Sequence, residues 1–149
     1  NERVDILENF RRRLLDPDPS VYLPAARAWS RYEGACSTLH PSPETVAAFS
    51  NDSTAVALAR IETHYFSNGN FMPDNALLEN IEKCSGLPCL IIQGRYDMIC
   101  PISTADELHR AWPSSEIKII PNAGHSAMDP GVREALVQAT EMYKEIVAE

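Results

Sequence analysis

No apolar run among the 149 residues approaches the ~20 needed to cross a bilayer, so a membrane-spanning helix is not expected. Basic residues are scarce: 13 Lys and Arg against 21 Asp and Glu give a net charge of −8. That balance argues against a nucleic-acid surface, which needs clustered cations to meet phosphates. The one basic cluster, Arg11-Arg12-Arg13, lies on an amphipathic helical pattern with acidic neighbours and reads as a solvated face. Cys36, Cys84, Cys89 and Cys100 include no C-x-x-C pair, so reduced thiols and a cytoplasmic protein are expected. His40, His64, His109 and His125 show no metal-ligand spacing, so neither a metal nor another cofactor is expected. No signal peptide is evident; position 1 is Asn and the chain opens directly into charged helix, as expected for part of a longer gene product.

What is present falls into two halves with different patterning. From Val4 to Phe66 the period is helical. Leu7, Phe10 and Leu14 mark a first helix that "DPDPS" (Asp16 to Ser20) stops. Ser20 is the expected N-cap of a second helix, with Ala26, Trp29 and Glu33 on one face. "HPSPE" (His40 to Glu44) breaks the chain again and restarts it with Pro43 at a first helical position. A helix over Asp52 to Phe66 ends at "SNGN", and a short one around Leu77 to Ile81 leads to "SGLP". After Pro88, "CLIIQ" (Cys89 to Gln93) reads as a strand buried on both faces, followed by a helix over Ser103 to Trp112. "EIKII" (Glu116 to Ile120) is a second strand. A last helix repeats Val132, Ala135, Leu136, Ala139, Met142, Tyr143 and Ile146 at helical spacing. Strand, helix, strand, helix is the pattern of a parallel sheet. Two short strands do not make a covered sheet, so further strands are expected upstream, and the chain alone is expected to self-associate or to be partly disordered.

In open parallel sheets ligands bind beyond the carboxyl ends of the strands. Asp97 lies four residues past "CLIIQ" and His125 five past "EIKII", on loops that open at the same sheet edge. Taken singly, an Asp after Gly-Arg-Tyr is a turn former and a His after Gly a solvated loop residue. As a pair, the carboxylate can accept from one ring nitrogen and leave the other free as a base.

"GRYDMICP" followed by "AGHS" resembles the last two triad-bearing loops of the α/β-hydrolase fold, where the order is Ser, Asp, His. "AARAWSRYEGACSTLHP", "LARIETHYFSNGNF" and "LHRAWPSSEIKIIPNAGHS" are similar to the prolyl aminopeptidase (proline iminopeptidase) family, and the resemblance covers nearly the whole chain. It implies an α/β fold, in which an all-helical cap domain (1–86) precedes the carboxyl-terminal part of an α/β-hydrolase core (87–149). It also implies that Asp97 orients the catalytic histidine, that His125 is the general base, and that Glu33 and Glu62 hold the substrate's free amino terminus. The expected substrates are peptides with N-terminal proline.

The family's nucleophile elbow, G-x-S-x-G, does not occur in these 149 residues. Ser126 follows the histidine directly and lacks that context. The expectation is therefore a base and its orienter awaiting a serine from the amino-terminal half of the same protein. Two alternatives stand beside it. One is another capped α/β-hydrolase, an esterase or epoxide hydrolase, disfavoured because such substrates offer no amine for the two glutamates. The other is a truncated, non-catalytic interaction module, which leaves the Asp and His on those loops unexplained. For the glutamates, an ion pair with Arg27, Arg31 or Arg60 is the structural alternative to a shared cavity between cap and core.

Overall fold

The computed structural model describes residues 2–147, with side chains through Lys144. Among the described residues seven α-helices and two strands follow in the order α1 (Ile6–Leu14), α2 (Pro19–Cys36), α3 (Pro43–Phe49), α4 (Asp52–Ser67), α5 (Ala76–Glu79), β1 (Cys89–Gly94), α6 (Ile102–Ala111), β2 (Ser115–Ile120) and α7 (Pro130–Val147). By contacts the chain forms two compact units, residues 1–35 with 41–74 and residues 36–40 with 75–149. The change of patterning in the sequence falls at Pro88, whereas the contacts divide at Asp74 and return residues 36–40 to the second unit. The cause of that return is the seating of residues 37–39 against the histidine-bearing loop, described below.

The first unit is helical. α2 starts earlier than its expected cap: the Asp18 carboxylate, not Ser20, accepts at its amino end, from the Ser20 amide at 2.8 Å. Asp16 makes the matching bond to the Asp18 amide, so "DPDPS" is two consecutive Asx turns feeding a helix with Pro19 in its first turn. Pro43 opens α3, as the sequence predicts, and Ser42 caps it. Leu14, Ala25, Ala26, Ala55 and Ala59 form the core, flanked by Phe10, Trp29 and Val56. Alanines there let the helices approach closely. The sequence spaces Ala55, Leu58, Ala59, Glu62, Tyr65 and Phe66 along α4 at i, i+3, i+4, i+7, i+10 and i+11, one expected apolar stripe with a carboxylate in its middle, and it is only partly realised. Ala55 and Ala59 are buried and Thr63 continues them, whereas Tyr65 and Phe66 are about half exposed. Thr63 can take that place because its hydroxyl donates back to the Ala59 carbonyl at 2.6 Å, leaving its methyl to pack. Beyond α4, Gly69, Asn70 and Phe71 all adopt positive φ, a left-handed turn that ends the helix.

In the second unit β1 and β2 pair in parallel, Cys89 opposite Ser115 through Gly94 opposite Ile120. α6 makes the crossover and packs on both strands, while α7 packs on β1. The expectation that β1 is buried on both faces is not met. Cys89 to Ile92 are half-buried and only Gln93 and Gly94 are buried, because among the described residues no further strand or helix covers the rest. Ile120, Ala123, Val132 and Ala135 form the core, with Ile92 against it. On α7, Val132, Ala135 and Ala139 are buried, but Leu136 and Met142 are exposed; the Ile146 side chain lies outside the described residues. Among the described residues no helix is long and apolar enough to cross a membrane.

Candidate active site

β1 and β2 run parallel, so their carboxyl ends release two loops at one edge, and both loops bear the residues singled out above. The loops are stitched together by backbone. The Arg95 amide donates to the Ile120 carbonyl at 3.0 Å, and the Tyr96 amide to the Ala123 carbonyl at 3.0 Å. Gly94 is required here: a Cβ on it would lie 1.9 Å from the Gly124 carbonyl oxygen. Gly124 is confined on its other side, where a Cβ would meet the Leu39 nitrogen at 2.9 Å. The Ser126 amide donates to the Ser37 carbonyl at 2.8 Å, so residues 37–39 form the back wall of the histidine loop. Two glycines therefore give the loops a backbone-to-backbone approach that side chains would prevent.

That approach brings Asp97 and His125 together. His125 Nδ1 lies 3.0 Å from Asp97 Oδ2. Asp97 is well fixed. Its Oδ1 accepts from the Ile99 amide at 2.9 Å and the Cys100 amide at 2.8 Å, and its side chain keeps only 7% exposure. Gln93, buried at the end of β1, donates to the Cys100 carbonyl at 3.0 Å and lies 3.5 Å from Asp97 Oδ2. The carboxylate can only accept, so the histidine proton sits on Nδ1 and Nε2 presents a lone pair. The described residues place no hydrogen-bond partner on Nε2, and the imidazole side chain is 39% exposed. Burial, and after it the Asp97 carboxylate, pushes the neighbouring Cys100 thiol above its ordinary range.

Three supports of this arrangement escape a reading of the sequence. Asp129 accepts from the Gly124 amide at 2.8 Å and pins the loop to the start of α7. Its signal is the "DP" pair at a helix start, the usual mark of an end-capping carboxylate. Gln93 reads only as the polar end of a strand, and Ser37 carries no local signal, since its carbonyl does the work. Ser126, set aside as a nucleophile from its context, accepts from the Met128 amide at 3.1 Å, as a turn-forming hydroxyl does.

In the helical unit the two glutamates are half-buried, Glu33 on α2 and Glu62 on α4. None of the arginines weighed as partners pairs with Glu62. Arg27 forms a two-pronged pair with Asp52 at 2.6 and 2.9 Å, and Arg60 donates to the Leu14 carbonyl at 2.9 Å. The partner of Glu62 is Trp29, whose indole nitrogen donates to Oε2 at 2.5 Å. A cavity of about 420 Å³ between α1 and α2 is lined by Phe10, Arg13, Ala25 and neighbouring residues and includes neither Glu33 nor Glu62. Among the described residues no group of three or more His, Cys, Asp or Glu is placed to hold a metal ion.

Comparison with known proteins bears on the family of the chain. An α/β-hydrolase family model described as TAP-like protein matches residues 70–144, half of the chain. The proline iminopeptidase of Xylella fastidiosa (strain 9a5c) is 44% identical over 143 residues, which is 95% of this chain and 46% of that protein. The proline iminopeptidase of Arabidopsis thaliana is 42% identical over 149 residues, 99% of this chain and 39% of its own length. That of Neisseria gonorrhoeae is 39% identical over 142 residues, 95% of this chain and 44% of its own. The chain thus spans less than half the length of each of these relatives.

Proposed function

The chain belongs to the TAP-like family of α/β-hydrolases, and from that premise we propose that it is the cap and carboxyl-terminal core of a serine-type exopeptidase that releases N-terminal proline. The observation that carries this reading is the hydrogen bond of 3.0 Å between Asp97 Oδ2 and His125 Nδ1 at the carboxyl edge of the parallel strands. The relatives' names, proline iminopeptidase, support the substrate class.

In this reading His125 Nε2 takes the hydroxyl proton of a serine as its oxygen attacks the scissile carbonyl. The imidazolium then hands that proton to the departing amine. Asp97 holds the ring and stabilises the imidazolium; its two backbone amide donors keep it fixed. Water then repeats the cycle on the acyl-enzyme. The serine and the oxyanion donors come from sequence outside these 149 residues, since no G-x-S-x-G occurs within them. Glu33 and Glu62 receive the substrate's ammonium group, which restricts cleavage to the first residue of a peptide. Glu62 suits that role: it is half-buried, and among the described residues no arginine or lysine neutralises it.

A substrate panel tests the reading. The full-length protein carrying this segment is expected to hydrolyse proline arylamide, to leave its N-acetylated form intact, and to show little activity on simple esters or epoxides. Preference for the acetylated amide or for an ester would refute the exopeptidase assignment while leaving the hydrolase family intact.

A further inference from the structure

Glu62 has an unusual partner for a half-buried carboxylate. Such a group ordinarily takes an arginine or lysine, because a bare charge out of water is costly. Here it takes a neutral donor, the Trp29 indole N–H, at 2.5 Å. An indole offers one donor in one direction and no charge, so it can orient the carboxylate without cancelling it. The ring itself has little freedom. Its edge packs against Phe10 at a centroid distance of 5.2 Å and an interplanar angle of 74°, and Phe66 lies 6.3 Å away on α4. Two torsions fixed by packing give the N–H a fixed aim. Trp29 also stands one helical turn before Glu33 on α2, so the residue that holds one glutamate shares a face with the other.

We propose that Trp29 is a positioning residue of the amine site: its N–H holds Oε2 of Glu62 without neutralising the carboxylate and leaves Oε1 to meet a substrate ammonium group. The proposal rests on the reading that Glu62 receives that ammonium. An arginine in the same place would pair with the carboxylate and compete with the substrate. A phenylalanine would leave the carboxylate unaimed.

The test uses the full-length protein with Trp29→Phe, which keeps an aromatic ring between Phe10 and Phe66 but removes the donor. The readouts are kcat and KM for proline arylamide, and the inhibition constant of the uncharged cyclopentanecarbonyl counterpart, which lacks the amine. KM is expected to rise about tenfold, the loss of one hydrogen bond to a charged group, with kcat nearly unchanged and inhibition by the uncharged compound unaffected. Weakening of both compounds alike would mean that Trp29 only packs the unit, and would overturn the proposal. So would an unchanged KM in Trp29→Phe alongside a raised KM in Glu62→Gln, an outcome that leaves the amine reading standing. If Glu62→Gln itself leaves KM unchanged, the amine reading fails and the positioning role fails with it. Should Trp29→Phe not fold, site-specific replacement of Trp29 by benzothienylalanine keeps the bicyclic shape, removes the donor, and is judged by the same constants.

Discussion

Asp97→Asn converts one carboxylate oxygen into an amide NH2, and the surroundings decide which one. Oδ1 receives two backbone donors, the amides of Ile99 and Cys100 at 2.9 and 2.8 Å. An NH2 placed there would face two N–H groups, so the asparagine oxygen must take that position. The NH2 is then turned toward His125 Nδ1, 3.0 Å away in the wild type. A donor in that place obliges Nδ1 to accept, and the imidazole proton moves to Nε2. In the proposed mechanism Nε2 receives the serine proton, so the base would be lost although the ring hardly moves. The expected effect on kcat is about four orders of magnitude, or ~5.5 kcal/mol. The anchoring bonds to Ile99 and Cys100 survive, so the melting temperature is expected to change by only a few degrees, about what ~1 kcal/mol produces. Steady-state kinetics of the full-length protein on proline arylamide, with thermal unfolding as the control, measure both. A kcat within tenfold of wild type in a folded Asp97→Asn protein would refute the tautomer argument and mean that another carboxylate orients His125.

Glu33→Gln and Glu62→Gln are each expected to lower kcat/KM on free-amine substrates by about 2–4 kcal/mol with little change in stability; an equal loss on substrates without an amine would show a structural role instead. Gly94→Ala places a methyl 1.9 Å from the Gly124 carbonyl oxygen. Both loops are backbone there and must part, at a cost of about 3 kcal/mol. Thermal unfolding would register it, and a wild-type melting temperature would mean that the loops do not approach so closely in solution.

Much of this arrangement is legible from residue order. The strand and helix pattern after Pro88 identifies β1, α6, β2 and α7 because short apolar, β-branched runs alternate with runs of helical period. Asp97 and His125 follow from it, since parallel strands must release their loops at a common edge. Contacts without local pattern are not legible. Residues 37–39 back the histidine loop through main-chain atoms, which no side-chain code announces. The partner of Glu62 is also hidden, because weighing charges directs attention to Arg27 and Arg60, which satisfy Asp52 and the Leu14 carbonyl instead. The periodicity of α4 overstates its apolar stripe at Tyr65 and Phe66. A helical repeat says which residues share a face, and burial depends on what is packed against that face.

In the proposed mechanism His125 is a base whose nucleophile lies outside these 149 residues. Its most direct test is turnover of proline arylamide by three proteins side by side: the isolated 149-residue chain, the full-length protein, and full-length His125→Ala. Hydrolysis is expected from the full-length protein alone. Hydrolysis by the isolated chain, or undiminished hydrolysis by full-length His125→Ala, would contradict that mechanism.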